Sequence, residues 1–150
     1  MARQPDSGLA ENFLKRDGRL NRWRYFKRCF LLGLVEFIIF FAIFAMDTNA
    51  LGQLSSFGNI ALKLVMAVGQ IPLFCLITRR LHDCNRDEKL AYAVLALNAI
   101  IIILTDYNNL MKEPSLFENI ITALAGVIGI YAMFCPGTKG DNQYGEDPLA

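Results

Sequence analysis

The stretch TRRLHDCNRDEK, residues 78–89, packs seven charged residues and the chain's single histidine into twelve positions, between two long apolar runs. A break that polar between runs that apolar reads as the place where one membrane helix ends and another begins. Arg79 and Arg80 stand at the end of the incoming helix, suited to its negative dipole end and to lipid phosphate. Asp83 or Asn85 can cap the outgoing helix, and Asn85 with Glu88 has capping-box spacing. His82 beside Asp83 has the makings of an acid–base pair. No nucleophile pattern and no second histidine accompany it, so an interfacial structural histidine is the reading adopted.

Working outward, four apolar runs stand out, at residues 29–46, 60–78, 90–104 and 120–135. With 54% hydrophobic and 19% charged residues in 150, the composition excludes an ordinary soluble domain. A crossing takes about 17 to 25 helical residues. The first two runs qualify outright; the third and fourth do so if Asp106, Tyr107 and residues 115–119 sit at headgroup level, and otherwise one of them is re-entrant. The expected fold is all-α, an integral membrane four-helix bundle. Residues 1–28 form a basic interfacial segment, 29–135 the four-span domain and 136–150 a C-terminal tail. The long basic region before the first run and the absence of a small-residue cleavage pattern make that run a retained anchor.

Basic residues set the orientation. Eight precede the first run (Arg3, Lys15, Arg16, Arg19, Arg22, Arg24, Lys27, Arg28), four lie in the central stretch (Arg79, Arg80, Arg86, Lys89), and Lys139 is in the tail. The other two connections offer only Lys63 and Lys112. The positive-inside rule then places both termini and the central stretch in the cytoplasm. The four cysteines would face a reducing compartment as free thiols. His82 and Cys84 have no closed ligand spacing, so neither a metal nor any other cofactor is expected.

Before the first run, Leu9, Ala10, Phe13 and Leu14 fall at helical spacing, with Ser7 as a cap and Gly18 as a stop. Residues 7–15 are a short amphipathic helix or a disordered tail. GRLNRWRYFKR, residues 18–28, interleaves Trp23, Tyr25 and Phe26 with basic residues. Such a stretch joined directly to a span suits lipid headgroups rather than nucleic acid. Arg22, Arg24, Arg28, Arg79, Arg80, His82 and Asp83 are accordingly the candidates for binding anionic lipid or a protein partner.

Inside the spans, Glu36 lies seven residues beyond Cys29, Gln70 eight before Thr78 and Asn98 eight beyond Leu90, so the three form one polar layer. Pro72 should kink its helix beside that layer. Amides and carboxyls at that depth more often fix helix register than bind a ligand. Ala123, Ala125, Gly126 and Gly129 suggest close helix packing, and Ser115 with Glu118 has capping-box spacing. The glycine-rich ending has no preceding strand and no GK[ST], which excludes a nucleotide loop.

Three segments, GRLNRWRYFKR, TRRLHD and the terminal PGTKGDNQYGEDP, resemble the YhaH-like bacterial inner-membrane proteins, grouped as domain of unknown function 805. The resemblance runs from about Gly18 to Pro148 and implies a small multi-span protein of the bacterial inner membrane with no catalytic residues to carry over. The chain departs from the pattern after R-R-L-H-D, where residues 87–92 replace a serine-glycine and paired tryptophans found in many members. Two functions follow as expectations. The first is a non-enzymatic protein whose basic cytoplasmic face binds anionic lipid or a membrane protein partner. The alternative is a small transporter or channel, working as a homo-oligomer, that uses the layer around Glu36. A membrane enzyme built on His82 and Asp83 ranks third. All three family-like segments fall on one side of the membrane, and a site is expected where they meet.

Overall fold

Helices form where the apolar runs lie, and their ends are set by local caps. The computed structural model describes residues 8–49, 53–108 and 112–148. The first helix, α1 (Gly8–Phe13), closes when the Asn12 amide donates to the Gly8 carbonyl at 2.6 Å. Gly18, at φ +87°, then turns the chain, as the sequence suggests. Both Ser7, expected as the cap of α1, and Arg3 lie outside the described residues.

Asn21 caps α2 (Arg22–Asp47) by accepting from the Arg24 N–H at 2.9 Å. The helix therefore starts seven residues before the apolar run. Its 26 residues are about 39 Å long against a hydrocarbon core of about 30 Å, and the surplus is the basic and aromatic first two turns. Ser55 caps α3 (Ser56–Asp83) and is itself held by the Asp47 carboxylate, which accepts from the Ser55 N–H at 2.9 Å.

The far end of α3 corrects the sequence reading. TRRLHD is not a turn: the helix runs through it to Asp83, and the reversal occupies residues 84–88. Asn85 caps nothing on the outgoing helix. It sits in the left-handed region at φ 54° and ends α3, with its N–H on the His82 carbonyl at 3.0 Å and the Arg86 N–H on the Leu81 carbonyl at 2.9 Å. That pair of bonds is a Schellman ending with asparagine in the place of glycine. The N-cap of α4 (Lys89–Leu104) is Glu88, which makes no side-chain capping bond. The expected capping box at α5 (Leu116–Phe134) is present, with Ser115 and Glu118 bonding reciprocally.

Among the described residues the chain is all-helical, without a β-strand. α2, α3 and α5 are each long and apolar enough to cross a membrane; α4 is apolar but has 16 residues. α3 is central, packing against α2 and α4; α4 packs against α5, and α5 touches α2. Phe30, Phe37, Phe41, Val127 and Ile130 stay exposed on the outer faces. That is how a protein with lipid around it distributes its apolar surface. Gly126 and Gly129 do not bring helices together: a Cβ on either would meet nothing within 4 Å, and both line an open groove of about 450 Å³ beside Tyr25 and Asn98.

The buried core is concentrated at one end, where Leu20, Tyr25, Leu76, Ile77, Leu81, Ala91, Val94 and Ala132 pack together. This end gathers the start of α2, the ends of α3 and α5 and the C-terminal segment.

Candidate functional site

An α-helix leaves its last four carbonyls without partners, and at the end of α3 every one is taken. Arg80 accepts from the Cys84 N–H at 3.3 Å and Leu81 from the Arg86 N–H. His82 accepts from Asn85 and from the Asn142 side-chain amide at 2.9 Å, and Asp83 from the Thr138 N–H at 2.8 Å. One turn back, the Leu20 N–H donates to the Arg79 carbonyl at 3.0 Å. The segment before α2 and the C-terminal segment thus both dock on the helix terminus, and the three family-like stretches meet.

Charge completes the junction. The Asp83 carboxylate lies between two guanidinium groups, bonded by Arg19 Nε at 3.1 Å and by Arg80. Arg19 also donates to the Thr138 carbonyl and, at 2.5 Å, to that of Gly140; Arg80 donates to the carbonyls of Ala132 (2.8 Å), Leu20 (3.3 Å) and Cys135. All three side chains are at most 4% exposed. Buried charges of this kind are tolerable only when each is matched and hydrogen-bonded, and the planar guanidinium fork supplies the needed donors. Gly137 has its place for a related reason, since a Cβ there would overlap the Asp83 carboxylate. We call this junction the clasp.

The candidates from sequence separate into two groups. Arg79, Arg80, His82 and Asp83 are buried, so they do not present themselves to lipid headgroups as expected. Arg79 instead reaches the Glu11 carbonyl of α1 at 3.1 Å. The His82 ring stacks on Tyr144 with centroids 3.9 Å apart, and its Nδ1 faces the Gly18 carbonyl at 3.3 Å, while Asp83 turns to the arginines. The two are therefore not arranged as an acid–base pair. Arg22 and Arg24 are exposed at the start of α2, and Arg28 is half-buried and donates to Asn12.

Lys27 joins the exposed pair, lying over the Trp23 ring at 4.9 Å from its centroid, and Trp23 stacks on Phe26 at 5.7 Å. Beside the clasp, Arg16 pairs with Glu88 on the surface and donates to the Tyr92 hydroxyl at 3.1 Å. This pairing draws the Glu88 carboxyl below its usual range, chiefly through the Arg16 hydrogen bond.

The polar layer is assembled in part. Asn98 donates to Gln70 at 2.8 Å, and Gln70 donates to the Met66 carbonyl at 3.1 Å. Glu36 joins neither; it sits against Gly69, with its carboxylate in the space a Gly69 Cβ would fill. All four cysteines are free. Burial and the neighbouring Cys135 push the Cys84 thiol up to about 12, which makes it a poor nucleophile and a poor metal ligand. Among the described residues there is no group of three or more His, Cys, Asp or Glu side chains that could hold a metal ion.

Arg19, Gly137, Asn142 and Tyr144 are the residues of this junction that sequence reasoning did not single out. Their signal lay in the glycine-rich ending and in G-R-L-N, both read as motifs but not as contacts to α3. A family model described as "Protein of unknown function (DUF805)" matches residues 13–146. No curated protein and no solved structure matches the chain.

Proposed function

The chain belongs to the DUF805 family of proteins of unknown function, and from that premise we propose a non-enzymatic protein of the bacterial inner membrane that binds anionic lipid on its cytoplasmic face. In this reading α4 also crosses, so that four spans put both termini in the cytoplasm. The clasp fixes the inner end, and the binding surface is the collar formed by the first turns of α2. The observation that carries the reading is the division of the basic residues. Arg19, Arg79 and Arg80 are consumed inside the protein, whereas Arg22, Arg24 and Lys27 stay exposed around Trp23, in the first two turns of a helix long and apolar enough to cross a membrane. Exposed cations beside an aromatic ring at that depth suit lipid phosphate.

Trp23 is the only tryptophan, so its fluorescence reports on the collar alone. In nanodiscs, brominated phosphatidylglycerol should quench it more than brominated phosphatidylcholine at equal mole fraction. Replacing Arg22, Arg24 and Lys27 with Gln should abolish the difference. Equal quenching by both lipids in the wild type would remove the lipid function and leave a protein partner as the ligand of the collar.

A further inference from the structure

We propose that the groove between α2 and α3 is a binding site for a hydrophobic organic cation, with Glu36 as its counter-ion. A carboxylate at this depth is costly unless something pairs with it. Among the described residues, no hydrogen bond or ion pair reaches Glu36. Lys63, the basic residue within the apolar part of α3, is engaged elsewhere, donating to the Ile103 carbonyl at 3.1 Å.

The surroundings of Glu36 are shaped for a ligand. Glu36 borders an open groove of about 650 Å³ whose walls, among them Leu32, Val35, Val68 and Pro72, are apolar, with its carboxylate folded onto Gly69 at the edge. That volume falls in the range of small-molecule sites, which bury apolar bulk and place a few polar groups for orientation. Gly69 makes the room, because any Cβ there would displace the carboxylate. Pro72 contributes an acceptor, since it has no N–H to return to the Val68 carbonyl. The groove continues beneath α1 into a second apolar space of about 510 Å³ that shares Leu14, Leu32, Val35 and Pro72. Apolar substituents thus have somewhere to go on the side away from the charge.

Depth selects the class of ligand. Glu36 lies fourteen residues beyond Arg22, about 21 Å along the helix, so headgroup amines at the collar do not reach it. A cation must carry its own hydrocarbon to arrive there. The site is independent of the lipid collar and uses none of its residues.

The test is equilibrium dialysis of tetraphenylphosphonium with the full chain in neutral detergent, without anionic lipid. Saturable binding is expected, weakened at least about tenfold in E36Q and unchanged in N98A, which alters the neighbouring amide pair but not the groove. Because E36Q could disturb folding, the wild-type protein is also treated with dicyclohexylcarbodiimide, and the adduct on Glu36 is followed by mass spectrometry; bound tetraphenylphosphonium should slow its formation. Non-saturable partition, equal binding by E36Q, or labelling that the cation does not slow would overturn the proposal and leave Glu36 a packing residue.

Discussion

The two ends of α3 are held in opposite ways. At its start the cap is local: Asp47 holds Ser55, Ser55 caps Gly58, and each of these bonds spans eight residues or fewer, with the Tyr107 N–H on the Asn59 side chain at 3.2 Å as a longer tie beside them. At its finish, Arg19 reaches Gly140 across 121 residues, Arg80 reaches Leu20 across 60, and the side chains involved are almost wholly buried. Local caps can form before the rest of the chain is in place. The clasp forms only once α2, α3, α5 and the C-terminal segment are together, so it reports on the completed fold. The contrast teaches that the charge buried at the finish of α3 is an assembly device, whereas Arg22, Arg24 and Lys27 at the collar are left exposed.

The strongest way to break this comparison is to neutralise one carboxylate at each end. D83N leaves two buried guanidinium groups without their counter-charge, which should cost about 3 kcal/mol or more. D47N removes the charge and one of two acceptor oxygens at a partly exposed site where water can substitute, worth about 1 kcal/mol or less. Thermal unfolding in detergent, with size-exclusion profiles, measures both. Comparable losses from the two variants would mean that the clasp is no more important than an ordinary cap.

A finer test keeps the charge and changes its shape. Arg80 bonds Asp83 and three backbone carbonyls, that of Leu20 ahead of α2 and those of Ala132 and Cys135 at the end of α5. Lysine retains the charge yet cannot reach all four from one nitrogen, so R80K should lose about 2 kcal/mol. R24K, on the exposed collar, should leave the unfolding midpoint unchanged. An R80K protein as stable as wild type would show that charge alone, without the planar fork, suffices at the clasp.

The same contrast explains what could be read from sequence. The apolar runs gave the helices because lipid imposes a length on them, and the Ser115 box was visible because its partners are three residues apart. Two features misled. Charge density made residues 78–83 look like an exposed turn, although Arg80 is matched by Asp83 and both arginines there by carbonyls lying at least 52 residues away in sequence. Asn85 beside Glu88 imitated an N-cap, whereas its left-handed backbone ends the preceding helix. The convergence of the three family-like segments was legible because they share one side of the helical array. Which side chains face inward was not, because that depends on carbonyl partners 52 or more residues distant.

The smallest expected effect lies just outside the clasp, where Arg16 and Glu88 pair in contact with water. Arg16 holds the Glu88 carboxyl below its ordinary 4.5, so the folded state binds that proton less readily than the unfolded chain. The stabilisation is therefore fully present above pH 4.5 and is lost as pH falls through the lowered folded value. The difference in unfolding midpoint between wild type and E88Q should shrink towards zero as pH falls below 4.5, and 0.5 M salt should reduce it at every pH. The midpoint difference between wild type and R80K should survive the same salt, because the clasp is closed to solvent. If salt erased both differences alike, the clasp would be an open surface network and the division between its arginines and the collar would fail.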